Sequence, residues 1–206
     1  VTGTYIALGA ISVNLGPAGA VSAGAQWTID GGTTWQNSGA TVSGLAPGSY
    51  TVSFSTVSGY TTPASQTVTV TGGQTTTVTG TYIALGAISV NLGPAGAVSA
   101  GAQWTIDGGT NWQNSGATVS GLAPGSYTVS FSTVSGYTTP ASQTVTVTGG
   151  QTTTVTGTYI ALGAISVNLG PAGAVSAGAQ WTIDGGTTWQ NSGATVSGLA
   201  PGSYTV

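Results

Sequence analysis

Apolar and polar residues alternate in short runs along the whole chain, and residues that favour turns separate the runs. In the first run Ile11, Val13 and Leu15 share one face of a strand, before Gly16 and Pro17 interrupt it. Short alternating runs at regular spacing are typical of an antiparallel β-sandwich. Glycine and β-branched residues leave no run of good helix formers, so the pattern predicts an all-β, Ig-like chain without helix.

The pattern predicts about seven strands in each repeating unit of the chain. Turn signals stand at residues 31–32 and 45–48. The parity of the strands points Trp27, Tyr50 and Phe54 inward, so we expect these side chains to pack in the core. The predicted strands span residues 10–15, 26–30, 33–37, 40–43, 49–57, 66–71 and 74–82.

The whole pattern repeats with a period of 77 residues. The copies differ only at Thr34, which is Asn111 in the second copy and Thr188 in the third. Both ends of the sequence cut through a copy, so we expect a window on a longer array, because terminal repeats are usually atypical. The predicted divisions are the final strand of a preceding repeat in 1–7, β-sandwich repeats in 8–84 and 85–161, and a truncated repeat in 162–206.

The junction between copies carries no turn signal. From residue 76 to residue 92 the chain has no Pro, Asn-Gly or Asp-Gly, whereas a flexible linker would be polar and rich in Gly and Ser. Two alternatives fit: the last strand of one repeat runs directly into the first strand of the next as a stiff joint, or a short buried linker joins them. The side chains predicted to pack between modules are Tyr82, Ile83, Leu85, Tyr159, Ile160 and Leu162.

Charge is almost absent. The chain has no Lys, Arg, His, Cys or Met, and Asp30, Asp107 and Asp184 give it a net charge of -3. Without Lys or Arg the chain lacks the electrostatic footprint of a nucleic-acid binder, so no DNA or RNA partner is expected. No run approaches the roughly 18 apolar residues of a membrane span. Trypsin has no cleavage site and the main oxidation targets are missing, so we expect a protease-resistant, durable chain.

The side-chain chemistry predicts no enzyme. Each copy holds one Asp, whereas acid–base or glycosidase chemistry needs two carboxyls close together. The Ser and Thr hydroxyls have no His, Lys or Cys to activate them, and the Asp-x-Asp-x-Asp-Gly calcium loop is absent. We therefore expect no catalytic residue, no metal and no cofactor. Asp30, Asp107 and Asp184 are expected to serve a hairpin turn.

The role of Trp35 depends on the turn that precedes it. If residues 31–32 form a two-residue turn, Trp35 faces outward, whereas a three-residue loop places it opposite Ile29 in the core. An outward Trp35 would be able to stack on a sugar ring or to anchor a protein contact. Trp112 and Trp189 would repeat that contact along the array.

Four motifs follow one another in each copy: Pro-Ala-Gly-Ala at 17–20, Thr-Ile-Asp-Gly at 28–31, Gly-Leu-Ala-Pro-Gly-Ser-Tyr-Thr-Val at 44–52 and Gly-Tyr at 59–60. This series resembles the PEGA domain, a family of small β-sandwich modules in bacterial and archaeal surface proteins. The resemblance implies a sandwich and an envelope or extracellular setting, and it implies no catalytic residue. Ala18 departs from it, since the namesake motif has Glu there, and residues 22–26 look like an insertion.

The outward strand positions, Thr28 and Thr67 among them, are all neutral. Sheet proteins usually guard exposed edges with charge or Pro, so we expect these faces to be covered by identical modules or by O-linked glycan. The sequence predicts a structural protein: an extracellular filament formed by head-to-tail and lateral packing of uncharged repeats, with strand exchange between modules as a variant. The alternatives are a cell-surface adhesin stalk or glycan-binding array using Trp35, Trp112 and Trp189, and a spacer that joins an enzyme to the cell surface.

Overall fold

The computed structural model describes residues 3–206, whose regular secondary structure is almost entirely β-strand. Residues 1–2 lie outside this range, and the predicted strand over 1–7 therefore falls partly outside it. Residues 3–8 form no strand. The described residues divide into two compact units, and the division does not follow the repeats. The first unit runs to Ile88 and includes Val119–Ser126 and Thr146–Thr153; the second contains Ser89–Thr118, Tyr127–Val145 and Thr154–Val206.

The first repeat contains nine short strands and one helical turn. Alternating side chains explain most of them, because every second residue of a strand can enter the core. The elements are β1 (Gly9–Gly16), α1 (Ala18–Ser22), β2 (Gln26–Thr28), β3 (Gln36–Asn37), β4 (Thr41–Leu45), β5 (Gly48–Phe54), β6 (Tyr60–Thr61), β7 (Gln66–Val70), β8 (Thr75–Thr81) and β9 (Ile83–Ala84).

The second repeat has the same series of elements. They are β10 (Gly86–Gly93), α2 (Ala95–Ser99), β11 (Gln103–Thr105), β12 (Gln113–Asn114), β13 (Thr118–Leu122), β14 (Gly125–Phe131), β15 (Tyr137–Thr138), β16 (Gln143–Val147), β17 (Thr152–Thr158) and β18 (Ile160–Ala161). The third, incomplete repeat has β19 (Gly163–Ser166), α3 (Ala172–Ser176), β20 (Gln180–Trp181), β21 (Gln190–Asn191) and β22 (Thr195–Leu199).

Two sheets enclose the core of the first repeat, which confirms the predicted all-β sandwich. One sheet has the strand order β3-β2-β5-β7 and the other β4-β1-β8. Their facing side chains form one cluster, in which Ile11 and Val13 of β1 meet Trp27 of β2 and Val52 of β5. The second repeat repeats both strand orders, as β12-β11-β14-β16 and β13-β10-β17.

One pairing differs from the antiparallel prediction: β1 and β8 run parallel, in register from Ala10 opposite Thr75 to Gly16 opposite Thr81. A parallel pair needs a long crossover connection, which β2 to β7 supply here. Alternation along a strand shows which face is buried, but it does not show the direction of the neighbouring strand.

The prediction of a chain without helix was wrong at residues 18–22. There a single α-helical turn follows Pro17 and buries Ala20, whose carbonyl oxygen accepts a hydrogen bond from the Ala25 N–H at 3.0 Å. Alanine is the best helix former, and Pro suits the start of a helix, so a five-residue turn forms without a helical period. None of the described helices is long and apolar enough to cross a membrane.

The outward placement of Thr28 was also wrong. Thr28 is only 1% exposed. Its strand ends at this residue, and its hydroxyl is used by the loop that follows.

Candidate functional site

The joint between the first two repeats is hydrogen-bonded along its length. Strand β9 pairs with β6, with Thr61 opposite Ile83 and Tyr60 opposite Ala84. The Leu85 N–H then donates to the Gly59 carbonyl at 2.9 Å, and the Leu85 carbonyl accepts from the Gly150 N–H at 2.9 Å. Residue 85 is therefore bonded to a loop of the first repeat on one side and to a turn of the second on the other.

The three side chains that were predicted to pack between modules occupy different environments. Tyr82 lies in the core of the repeat that it closes, where its hydroxyl donates to the Ser55 carbonyl at 2.7 Å and its ring meets Tyr60 edge-on. Ile83 is 51% exposed, and Leu85 is half-buried. In the second repeat Tyr159, Ile160 and Leu162 are likewise buried, exposed and half-buried in that order.

The backbone packs closely on the far side of the joint. A Cβ atom placed on Gly149 would lie 2.5 Å from the carbonyl oxygen of Ala84. A Cβ on Gly86 would lie 2.5 Å from the carbonyl oxygen of Thr148. Real side chains do not approach so closely, so glycine at both positions lets the β16–β17 turn lie directly on residues 84–86.

A hollow of about 400 Å³ lies beside the joint. Uncharged residues line it, among them Ser58, Leu85, Ser120 and Gln151. The lining offers hydroxyl, amide and backbone groups but no charge and no titratable side chain, so it provides no acid, base or ion-binding group.

The Asp30 loop connects β2 to β3. One oxygen of the carboxylate, Oδ1, accepts hydrogen bonds from the Thr28 hydroxyl at 2.6 Å, from the Thr33 N–H at 3.0 Å and from the Thr34 N–H at 2.9 Å. These donors favour the ionised form, the Thr28 hydroxyl most, and they lower the pKa of Asp30 to about 2. The carboxylate therefore organises the loop as a permanent acceptor.

The other two Asp loops repeat this arrangement. The pKa of Asp184 is lowered to about 2, by the Thr182 hydroxyl and then the Thr188 N–H. In the second repeat the Asn111 side-chain amide also donates to Asp107 Oδ2 at 2.7 Å. Hydrogen bonds from the Asn111 N–H, the Thr105 hydroxyl and this amide hold the pKa of Asp107 far below its usual range. The one sequence difference between copies thus falls on a residue that donates hydrogen bonds to the loop carboxylate.

Trp35 lies at the surface, as one of the two predicted arrangements had it. Its exposed fraction is 38%, against 39% for Trp112 and 53% for Trp189. The loop before it is longer than either expected turn, because β2 ends at Thr28 and β3 begins at Gln36. Gly31 and Gly32 have φ angles of +72° and +94°, and the Trp35 ring lies over Gly32. Trp27 is fully buried instead, with its indole N–H bonded to the Asn37 carbonyl.

The edges of the two sheets meet at β7 and β8, and neutral side chains cover their backbone groups. The Gln66 amide donates to the Thr79 carbonyl at 2.8 Å, and the Thr76 hydroxyl donates to the Thr69 carbonyl at 3.0 Å. Both bonds recur in the second repeat. Sequence reasoning missed this protection, because Gln and Thr carry no signal of it until the register of the two strands is known.

The three carboxylates lie in separate repeats, each occupied with its own loop. Within residues 3–206 no three His, Cys, Asp or Glu side chains come together in a way that would hold a metal ion. The features that distinguish the surface are the bonded joint, the exposed Trp of each repeat and the neutral strand faces.

No family model matches the chain, and no curated protein matches it. The PEGA resemblance thus gains no support from a family model. Several solved structures align with it at low similarity. The Bacillus anthracis TIE protein has 16% identity and a TM-score of 0.35 over 81% of this chain, which spans 37% of that protein's length.

Two pilins align over similar shares of the chain. The minor pilin GBS52 of Streptococcus agalactiae has 13% identity and a TM-score of 0.32 over 80% of this chain and 99% of its own. The shaft pilin SpaA of Lactobacillus rhamnosus GG has 11% identity and a TM-score of 0.28 over 75% of this chain and 98% of its own. TM-scores of this size do not establish a common fold.

Proposed function

We propose that this chain is a structural, non-enzymatic protein of the cell surface or extracellular space, built into a filament by head-to-tail and lateral packing of its repeats. The observation that supports it most is the joint, in which Leu85 is hydrogen-bonded to the repeats on both sides. A repeat that is fixed to its neighbours at every junction makes a continuous support instead of a string of independent domains.

Lateral packing is favoured by the strand faces. The chain carries 1% charged residues, whereas about a quarter of the residues of an average soluble domain are charged. The outward side chains of β5 and β7, such as Thr51 and Thr67, are exposed and neutral. Neighbouring chains would meet with little electrostatic repulsion and a low cost of removing charge from water. The same contact would recur in every repeat and gain from multivalency.

Electron microscopy and sedimentation of the full chain test this proposal. We expect concentration-dependent assembly into fibres. Thr51→Lys with Thr128→Lys, which places charge on the same sheet face in both complete repeats, should shift assembly to higher concentration. Thr51→Ser with Thr128→Ser is the matched neutral control. An unglycosylated chain that stays monomeric at high concentration would contradict the proposal.

A glycan-binding array or adhesin stalk is the second candidate function, and the exposed indoles favour it. Trp35, Trp112 and Trp189 present one partly exposed ring per repeat, beside a loop rich in hydroxyl and amide groups. Affinity electrophoresis in polysaccharide gels discriminates the two functions. Retardation that is lost on replacing the three Trp by Ala, and kept on replacing them by Tyr, supports binding by stacking. Fibres that form equally with the parent protein and both variants, without retardation, support the filament.

Two finer features belong to the same proposal. Strand exchange between neighbouring chains would strengthen the filament, and O-linked glycan on the many Thr residues would cover faces that no neighbour covers. Mass spectrometry of the protein from its natural source tests the second, because each sugar adds a fixed mass to an unmodified repeat.

A further inference from the structure

The parallel pairing of β1 with β8 has a mechanical meaning. We propose that each complete repeat bears tension along the chain, and that the β1–β8 pair is the element that resists it. Seven consecutive residue pairs join these strands, from Ala10 with Thr75 to Gly16 with Thr81. This function concerns a single chain and does not require that chains associate.

The direction of the pull follows from the topology. The chain enters the first repeat at the start of β1, and tension from the next repeat reaches the pair, through the short strand β9, at the end of β8. Because the strands are parallel, these two points lie at opposite ends of the pair. Tension therefore slides β1 and β8 past each other along their length, so that the evenly spaced bonds of a parallel ladder carry the load together.

Backbone bonds extend the pair beyond both ends of the strands. The Gly73 N–H donates to the Leu8 carbonyl at 2.9 Å, where the chain enters. At the exit the Tyr82 N–H donates to the Gly16 carbonyl at 2.7 Å. The buried Tyr82 ring, with its hydroxyl on Ser55, holds this end in the core. Pulling on the exit must withdraw a large aromatic side chain before the last pair opens.

Side-chain packing also opposes sliding. A Cβ atom on Gly80 would collide with the Phe54 ring and lie 2.8 Å from Leu15. These two side chains therefore rest directly on the backbone of β8. A displaced β8 would move the larger groups at Val78 and Tyr82 into the space that Gly80 leaves, so movement along the strand meets steric resistance.

Apart from the short β6–β9 pair, which lies between β8 and the next repeat, the pairs that do not involve β1 or β8 lie outside the direct path of the load. The β5–β7 pair, from Gly48 with Val70 to Val52 with Gln66, connects strands that are both interior to the repeat. From β8 the tension passes through residues 82–86 into β10, and the bonds of Leu85 brace this passage on both sides. Load thus runs from the parallel pair of the first repeat to the strand that opens the second.

Single-molecule force spectroscopy of the full chain tests the inference by changing the direction of the pull. The chain has no Cys, so Gln74→Cys gives one attachment point, at an exposed residue just before β8. With one handle at the N-terminus and the other attached through Gln74→Cys, tension pulls the β1–β8 pair apart from one end, so that its bonds break one after another. With handles at both termini the same pair is loaded in shear.

We expect the first repeat to unfold at a several-fold lower force in the Gln74→Cys geometry. Shear should give two high-force events, each lengthening the chain by about 240 Å, since an extended chain spans up to ~3.6 Å per residue. Forced unfolding follows the unfolding rate, so the comparison reports the barrier and not equilibrium stability. Circular dichroism and denaturant unfolding of the Gln74→Cys protein should match the parent and exclude a folding defect.

Equal forces in the two geometries, or low-force events under shear, would overturn the load-bearing assignment. Because single chains are measured, this result is independent of whether fibres form. A chain that resists shear but never associates would refute the filament and leave the mechanical function in place.

Discussion

The first and third repeats have the same sequence over the span that they share, but their neighbours in space differ. They fold to different extents. In the first repeat β1 covers eight residues, whereas its counterpart β19 covers only the four residues Gly163–Ser166. Strand β4 pairs with Gly9 to Ser12 of β1, and β22 pairs with the equivalent four residues of β19. The second half of β1 is thus a strand because β8 pairs with it.

The β2–β3 hairpin, by contrast, has the same structure in the first repeat as its counterpart β20–β21 in the third. Trp27 and Trp181 are both buried, and each indole donates to an Asn carbonyl at 3.0 Å, Asn37 in one repeat and Asn191 in the other. The contacts that hold this residue are local in sequence. Ile11 and Val13 are fully buried, but Ile165 and Val167 are half-buried, since the strands that cover them come from the far end of a repeat. The contacts within the hairpin are kept in residues 163–206, whereas the core is less covered there, because this span holds no counterpart of β5 to β8.

The largest effect is expected from separating β8 from the first repeat. Gly80→Ala places a methyl group into Phe54 and Leu15 and should cost about 3 kcal/mol, the upper range for overpacking a core. Denaturant unfolding should then show one repeat with a lowered midpoint. Gly16→Ala, where an added Cβ meets nothing within 4 Å, is the matched control. Equal losses for both variants would contradict the role of β8.

The second-largest effect is expected from replacing Val by Ala at equivalent positions of the first and third repeats. Val13→Ala should destabilise the first repeat by about 2 kcal/mol, because it leaves a cavity in a fully buried site. Val167→Ala, at a half-buried site, should stay within about 0.5 kcal/mol. Denaturant midpoints measure both, and a similar loss at Val167 would mean that the third repeat has a closed core after all.

Tyr82→Phe should have a smaller effect, about 1 kcal/mol, because the half-buried Ser55 carbonyl loses its donor while the ring still packs. Tyr50→Phe removes an exposed bond to the Ala46 carbonyl and should change the free energy of unfolding less. Thermal unfolding monitored by near-ultraviolet circular dichroism separates the two. The opposite order would place the closing contact of the repeat at Tyr50.

The smallest expected effect is on the titration of Asp30 in acid. The pKa of Asp30 is lowered to about 2 from an ordinary 3.8, so its contribution to stability is present above the ordinary value and lost as the pH falls through about 2. Thr34→Asn adds the amide donor of the second repeat and should lower the pKa of Asp30 further. Carboxyl carbon chemical shifts measure this titration. An unchanged pKa would show that the bond from Asn111 to Asp107 does not favour the ionised form.

Alternation located the main strands and the buried Trp27 and Phe54, because a two-residue period shows directly which side chains enter the core. It could not reveal that β1 and β8 are parallel, since register and direction depend on contacts between distant residues. The exposure of Trp35 followed from the length of a loop that the carboxylate of Asp30 organises. At the joint, the sequence revealed the apolar run. It did not reveal that Tyr82, a member of that run, lies in the core of the first repeat.

The covered edge at β7 and β8 gives this surface an unusual tolerance of changes in salt concentration and pH. Edges guarded by Lys or Glu weaken as dissolved ions screen them or as protons neutralise them. The Gln66 amide and the Thr76 hydroxyl neither titrate in ordinary water nor attract counter-ions. The same edge should therefore stay equally closed in fresh water, in brine and in mild acid.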